Sequence, residues 1–409
     1  MSATPHRSLL VKTWNAFAWL AASGRSRQLD ADALMEAAQK IVGAADFDDT
    51  SFVEPLRSFL SAIEETGELH AFGRFYLSKL VSGILVNRLK LEDLWRRHPE
   101  IAEEEVQSPL IILGLPRTGT SLLLKLLAQD PAHRYLSNWE LTVSQVPPNG
   151  DHAFESDPRR KLGRRLLKLQ GYLAPQLSAI HEFCLDGPEE CTPLLMQTFA
   201  TQALSGMFNV PAYSEWLDGV ERGASYTHHK RILQTLQWTY PKQRWLLKAP
   251  LHMEAVDALL AVYPDANLVQ MTRDPVKSIP SYASLCSVFR GICAGTVDAK
   301  ELGSQVMSQM GRVLDSFIKA RAQCDASRFH DIAYGDLVKD PLSMVRGIYQ
   351  RFDLAFSAEA EASMKALLAK ERGRSSQHHY GPEDFGLSPE GIRRRLQAYV
   401  DAFAIAEER

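Results

Sequence analysis

The sequence predicts an α/β fold, a parallel sheet flanked by helices, and three observations carry that expectation. Leu110–Leu113 is a short continuous apolar run, followed at once by a glycine-bounded loop and a leucine-rich helical stretch. Two further apolar runs, Trp245–Leu247 and Asn267–Met271, repeat the succession of strand, loop and helix; the first ends in Lys248 and the second is followed at once by Thr272-Arg273-Asp274-Pro275. Residues 1–105 have helical periodicity and carry no chemical motif. The expected division is therefore an N-terminal helical region, 1–105, and an α/β domain, 106–409.

In the first region, Ala31–Val42 is alanine-rich, and Ser51–Glu65 places Phe52, Leu56, Phe59, Leu60 and Ile63 at helical spacing. Phe72–Leu94 is long and apolar-periodic. A helical subdomain, a lid and a homodimer surface all remain open as roles. Glu100, Glu103, Glu104 and Glu105 mark an exposed link, and Pro109 leads into the first core strand.

The loop Gly114-Leu115-Pro116-Arg117-Thr118-Gly119-Thr120-Ser121 has P-loop-like G-x-x-x-x-G spacing, with Thr120 where a Walker-type loop has lysine. Backbone N–H groups and the positive end of the following helix converge on such a turn and can cradle an anion. Arg117 supplies a cation, and Thr118, Thr120 and Ser121 supply hydroxyls. The loop suits a phosphate or sulfate better than a nucleoside triphosphate with its magnesium. The ordinary alternative is a strand-to-helix turn capped by Thr118 or Thr120.

Beyond the loop helix, Glu140 lies beside Trp139 in a Pro-bounded segment that must turn back toward the loop. Pro158–Gln170 is strongly basic, and Leu162, Leu166, Leu167 and Leu169 predict a helix with a buried stripe and a basic outer side. That side is either solvated or faces an acidic acceptor. His181–Cys191 is dense in polar groups, and Phe199–Tyr226 is rich in aromatic residues. Pro250 suits the first turn of a helix running to about Tyr263. In open parallel sheets ligands bind at the carboxyl ends of the strands, the edge to which Arg117, Lys248 and Arg273 are assigned.

Composition narrows the function. The chain has 409 residues, 45% hydrophobic and 23% charged, enough to bury a large core. A net charge of −3 gives no general attraction to nucleic acid, so an anion site must be local. The five cysteines include no Cys-x-x-Cys pair, which fits reduced thiols; Cys184 and Cys191 near His181 match no zinc spacing. No apolar run approaches the ~20 residues needed to span a bilayer. The expectation is a soluble, cytoplasmic protein with no membrane span.

P-R-T-G-T-S after a buried strand resembles the 5′-phosphosulfate loop of sulfotransferases. Arg273 with Ser281 eight residues on resembles the family's 3′-phosphate motif, and Lys248-Ala249-Pro250 resembles the lysine segment before it. The order is kept over Pro109–Leu285, and YGDLVKDPLSMV and HHYGPEDFGLS resemble bacterial members. Proline at position 250 replaces the histidine base of cytosolic aryl and steroid enzymes, whose Arg-Lys-Gly motif is also absent.

The resemblance implies 3′-phosphoadenosine 5′-phosphosulfate (PAPS) as donor, its desulfated product (PAP), no metal, and in-line transfer to a hydroxyl or amine. Arg117, Thr118, Gly119, Thr120 and Ser121 would hold the phosphosulfate, Arg273 and Ser281 the 3′-phosphate, and Lys248 the leaving oxygen. Glu140, about two residues beyond the glutamate base of Golgi-type enzymes, or His252, kept neutral by the start of its helix, would take the proton, with Glu140 favoured. The acceptor, a small molecule, glycan, lipid or peptide, is left open. The rival readings are a P-loop kinase, which would need a metal site, and a non-catalytic nucleotide-binding protein.

Overall fold

The computed structural model describes residues 11–15, 29–44, 46–150, 152–173, 183–241, 244–371 and 381–408. Its centre is a five-stranded parallel sheet in the order β2-β3-β1-β4-β5. The strands are β1 (Leu110–Gly114), β2 (His133–Tyr135), β3 (Arg244–Lys248), β4 (Asn267–Thr272) and β5 (Phe329–Ala333). Three of them coincide with the apolar runs. The edge strands β2 and β5 show only broken apolar patterns, HRY and FHDIA, too short and mixed to read as strands.

Why β1 is central follows from its composition. Leu110, Ile111, Ile112, Leu113 and Gly114 are all buried, as a strand covered on both faces requires. Leu110 and Ile112 join the cluster of the loop helix (Leu123, Leu126) and Ile348. Ile111 and Leu113 join the opposite cluster with Leu236, Leu259 and Phe317. From β1 the chain goes to the edge at β2, returns through β3, and crosses to β4 and β5 on the other side. Ile112 stands level with Lys248 and Gly114 level with Met271. The ends of β3 and β4 thus bracket the loop leaving β1, at the point where the strand order reverses.

Among the described residues, the N-terminal region is built mainly from the helices Ala31–Val42, Val53–Thr66 and Ala71–Arg97. Asp30 caps the first by accepting from the Ala33 amide at 2.7 Å. Leu77, Val81, Leu85 and Leu89 of the third recur every four residues and are fully buried. Their cluster also contains Met196, Phe199, Leu204 and Phe208, so these helices share a core with the segment that follows Cys191.

Two expectations change here. The segment from Pro250 is a 3₁₀ turn, Pro250–Glu254, broken at Ala255 before the helix Val256–Val262. The basic helix forms, as Arg159–Leu173, but its leucines are not a buried stripe: Leu162 and Leu169 are exposed. The residue packed inward is Gly163, where a Cβ would lie 2.7 Å from that of Trp139. His181 lies outside the described residues, as do the first three residues of HHYGPEDFGLS. Among the described residues no helix is long and apolar enough to cross a membrane, and none form a cluster of three His, Cys, Asp or Glu groups that could hold a metal ion.

Candidate active site

The loop after β1 turns on two positive-φ residues, Arg117 (φ 70°) and Gly119 (φ 89°). A Cβ at Gly119 would lie 2.9 Å from the Tyr334 ring, so glycine is required both by backbone and by space. The Thr118 hydroxyl donates back to the Leu115 carbonyl at 2.7 Å and closes the turn. Gly119 caps the helix Thr120–Leu127, and among the described residues its start has no side-chain cap. That is the cradle an oxyanion fits: helix-start donors beside a cation.

The cations at the other strand ends meet this loop. Lys248, 1% exposed at the end of β3, donates to the Ser121 hydroxyl at 3.3 Å and pairs closely with Glu190. Arg273, one residue past β4, donates to the Arg117 carbonyl at 2.9 Å and stacks 3.9 Å over the Tyr334 ring. Arg117 in turn donates from Nε to the Ser281 hydroxyl at 3.1 Å. Arg117, Arg273 and Ser281, 164 residues apart at their widest, therefore form one hydrogen-bonded chain.

A cavity of about 540 Å³ opens on these groups; Arg117, Gly119, Thr120, Ser121, Lys248 and Arg273 all border it. The rest of its wall is largely apolar, including Leu141, Met196, Met207, Leu251 and Phe289. Thr118 and Ser281 are buried behind the lining.

The two expected proton acceptors stand elsewhere. Glu140 does not face an anion. It is fully buried, takes a two-pronged ion pair from Arg134 (3.1 Å for one prong), and accepts from the Ser137 amide at 3.0 Å as the third residue of a capping box. His252 is fully buried, with Nδ1 3.1 Å from the Tyr226 hydroxyl. Burial first, then His229 and Lys248, hold its ring well below the ordinary imidazole range. Burial is thus the first cause of its low basicity.

Three groups had no assigned part. Glu190 borders the cavity, pairs with Lys248, and accepts from the Thr192 hydroxyl at 3.1 Å. Tyr334 supports both Gly119 and Arg273. Glu408 holds Arg273 from the far end of the sequence, with contacts of 3.0 and 3.2 Å from Nε and 3.0 Å from Nη2. The polar density of His181–Cys191 was the available signal for Glu190.

Comparison with known proteins follows the same lines. The model of the sulfotransferase family matches residues 109–358. Omega-hydroxy-beta-dihydromenaquinone-9 sulfotransferase Stf3 from Mycobacterium tuberculosis (strain CDC 1551 / Oshkosh) is 27% identical over 261 residues, 60% of this chain. The match spans 63% of that relative's own length. The crystal structure of sulfotransferase STF1 from Mycobacterium tuberculosis H37Rv superposes with a TM-score of 0.79 at 31% identity, covering 91% of this chain and 100% of the other. Sulfotransferase STF9 from Mycobacterium avium gives 0.82 at 30% identity, covering 95% and 100%.

Proposed function

The chain belongs to the sulfotransferase family, and on that premise we propose that it transfers a sulfuryl group from PAPS to a hydroxyl on an apolar, lipid-like acceptor. The observation that carries this reading is the convergence of Arg117, Lys248 and Arg273, from three adjacent strand ends, on one cavity that is otherwise mostly apolar. The Stf3 relatives, named for an omega-hydroxy menaquinone derivative, lend support to such an acceptor.

When bound, the donor supplies a sulfuryl group activated by its link to phosphate. The protein's part is alignment and charge. The Gly119–Ser121 amides, the Arg117 guanidinium and the hydroxyls of Thr120 and Ser121 orient the 5′ end. Lys248 stands against Ser121 and neutralises charge that develops on the departing oxygen. Arg273, tied to the loop through the Arg117 carbonyl, takes the 3′-phosphate, and Ser281 fixes the direction of Arg117. We assign the acceptor's proton to Glu190, since Glu140 is committed to Arg134 and His252 is sealed behind the lining. The carboxylate beside Lys248 accepts that proton as the acceptor oxygen bonds to sulfur and the old sulfur–oxygen bond breaks.

The reading is tested by adding PAP without divalent metal and measuring thermal unfolding. PAP at ~100 times its dissociation constant stabilises the fold by ~2.7 kcal/mol, and AMP at the same concentration does much less. Equal stabilisation by AMP removes the case for a 3′-phosphate site; a strict need for magnesium favours a kinase. A transfer screen with labelled donor against long-chain alcohols, phenols, glycans and peptides then names the acceptor class.

A further inference from the structure

We propose that the outer face of the helix Arg159–Leu173 docks the protein on an anionic lipid surface, beside the cavity. The purpose of such docking rests on the lipid-like acceptor proposed above; its geometry does not. The helix carries six cations and no carboxylate. Two are turned inward: Arg159 onto Asp157 at 2.6 Å, and Arg160 onto Asp186 at 2.9 Å. Lys161, Arg164, Arg165 and Lys168 are exposed. Beside them stand Leu162, Leu169 and Tyr172, exposed by 45%, 48% and 54%, three of the seven large exposed hydrophobic residues among those described.

Leu162 and Leu169 are seven residues apart, so they lie on one stripe two turns apart. The inner face holds Gly163 against Trp139, and Gln170 borders the cavity. One helix therefore walls the cavity on one side and shows leucines among cations on the other. Water alone gives no reason for that mixture. The boundary between headgroups and acyl chains takes both parts, because the leucines enter the apolar layer and the cations meet lipid phosphates. A second copy of this chain fits worse, since the same face would oppose four cations with four cations. Docking there sets the cavity wall against the layer in which a lipid-like alcohol resides.

The test is flotation of the full chain with phosphatidylcholine vesicles, with and without phosphatidylglycerol. The chain floats with the anionic vesicles, not with phosphatidylcholine alone, and releases at high salt. Arg164→Glu with Arg165→Glu weakens this binding by at least ~10-fold, and Leu162→Ser with Leu169→Ser also lowers it. Both double variants bind PAP in calorimetry as the unaltered chain does, which shows that they fold. Absence of flotation with anionic vesicles, or equal flotation of the charge-reversed variant, overturns the proposal. So does a dimer in sedimentation that the leucine substitutions dissolve, because the face then joins two copies. Flotation by a protein that transfers to no lipid-like alcohol supports the docking face and overturns the acceptor reading alone.

Discussion

Lys248 and Glu190 define what a single residue does here. A buried lysine needs a partner, and the one it has borders the cavity. The carboxylate thus holds the ammonium in place and is also the base closest to it. Glu190→Gln keeps the shape and removes the basicity. With 1-dodecanol as acceptor its single-turnover rate falls by ~10²–10⁴. With 4-octylphenol, a far more acidic hydroxyl that needs less help to ionise, the loss is much smaller. A displaced lysine would slow both acceptors alike, so equal losses give Glu190 a structural part only. Glu140→Gln and His252→Asn serve as comparisons; a selective loss in either moves the proton-accepting role there.

At the scale of elements, the basic helix shows how a glycine decides which face is inside. Replacing a mid-helix glycine by alanine normally stabilises by ~0.5–1 kcal/mol. At Gly171, in the last described turn and with nothing within 4 Å of the added Cβ, a smaller gain of the same sign is expected. At Gly163 the added methyl meets Trp139 at 2.7 Å, and overpacking of ~1–3 kcal/mol outweighs the gain. Urea unfolding of the two variants should therefore shift in opposite directions. A stabilised Gly163→Ala would mean that the helix is not seated on Trp139.

The same helix marks what could be read from residues in order. Strand, loop and helix around Arg117 were legible because burial on both faces demands an unbroken apolar run, and β1 has one. Lys248 and Arg273 were legible because they stand at the ends of such runs, Lys248 at once and Arg273 after Thr272. The leucines of the basic helix misled, because their spacing satisfies a helical stripe whether or not anything covers it. Glu140 was placed by its distance along the chain from the loop, while its surroundings depend on Arg134 and a capping box. The pairs Lys248–Glu190 and Arg273–Glu408, 58 and 135 residues apart, arise only once the sheet has assembled.

Across the whole molecule, the last described residues are strapped to the carboxyl edge of the sheet, where β4 ends. The Glu408 amide donates to Asp274 at 3.0 Å, Arg393 donates to the same carboxylate at 2.7 Å, and Glu408 lays its own carboxylate on Arg273. On the function proposed above, an incoming 3′-phosphate would meet a guanidinium that already has an anion. Its binding would then be an ion exchange inside the protein, one negative group replacing another on the same cation. Ordinary phosphate binding weakens as salt rises, because screening acts only on the complex. Here screening also loosens the resident pair, and the two effects oppose. The affinity for PAP should accordingly fall less steeply with ionic strength in the natural sequence than in a chain without that carboxylate. Glu408→Ala should bind PAP several-fold more tightly at low salt and lose that advantage steadily as salt is added. Parallel salt curves for the two proteins in calorimetry would show that Glu408 leaves Arg273 without contest.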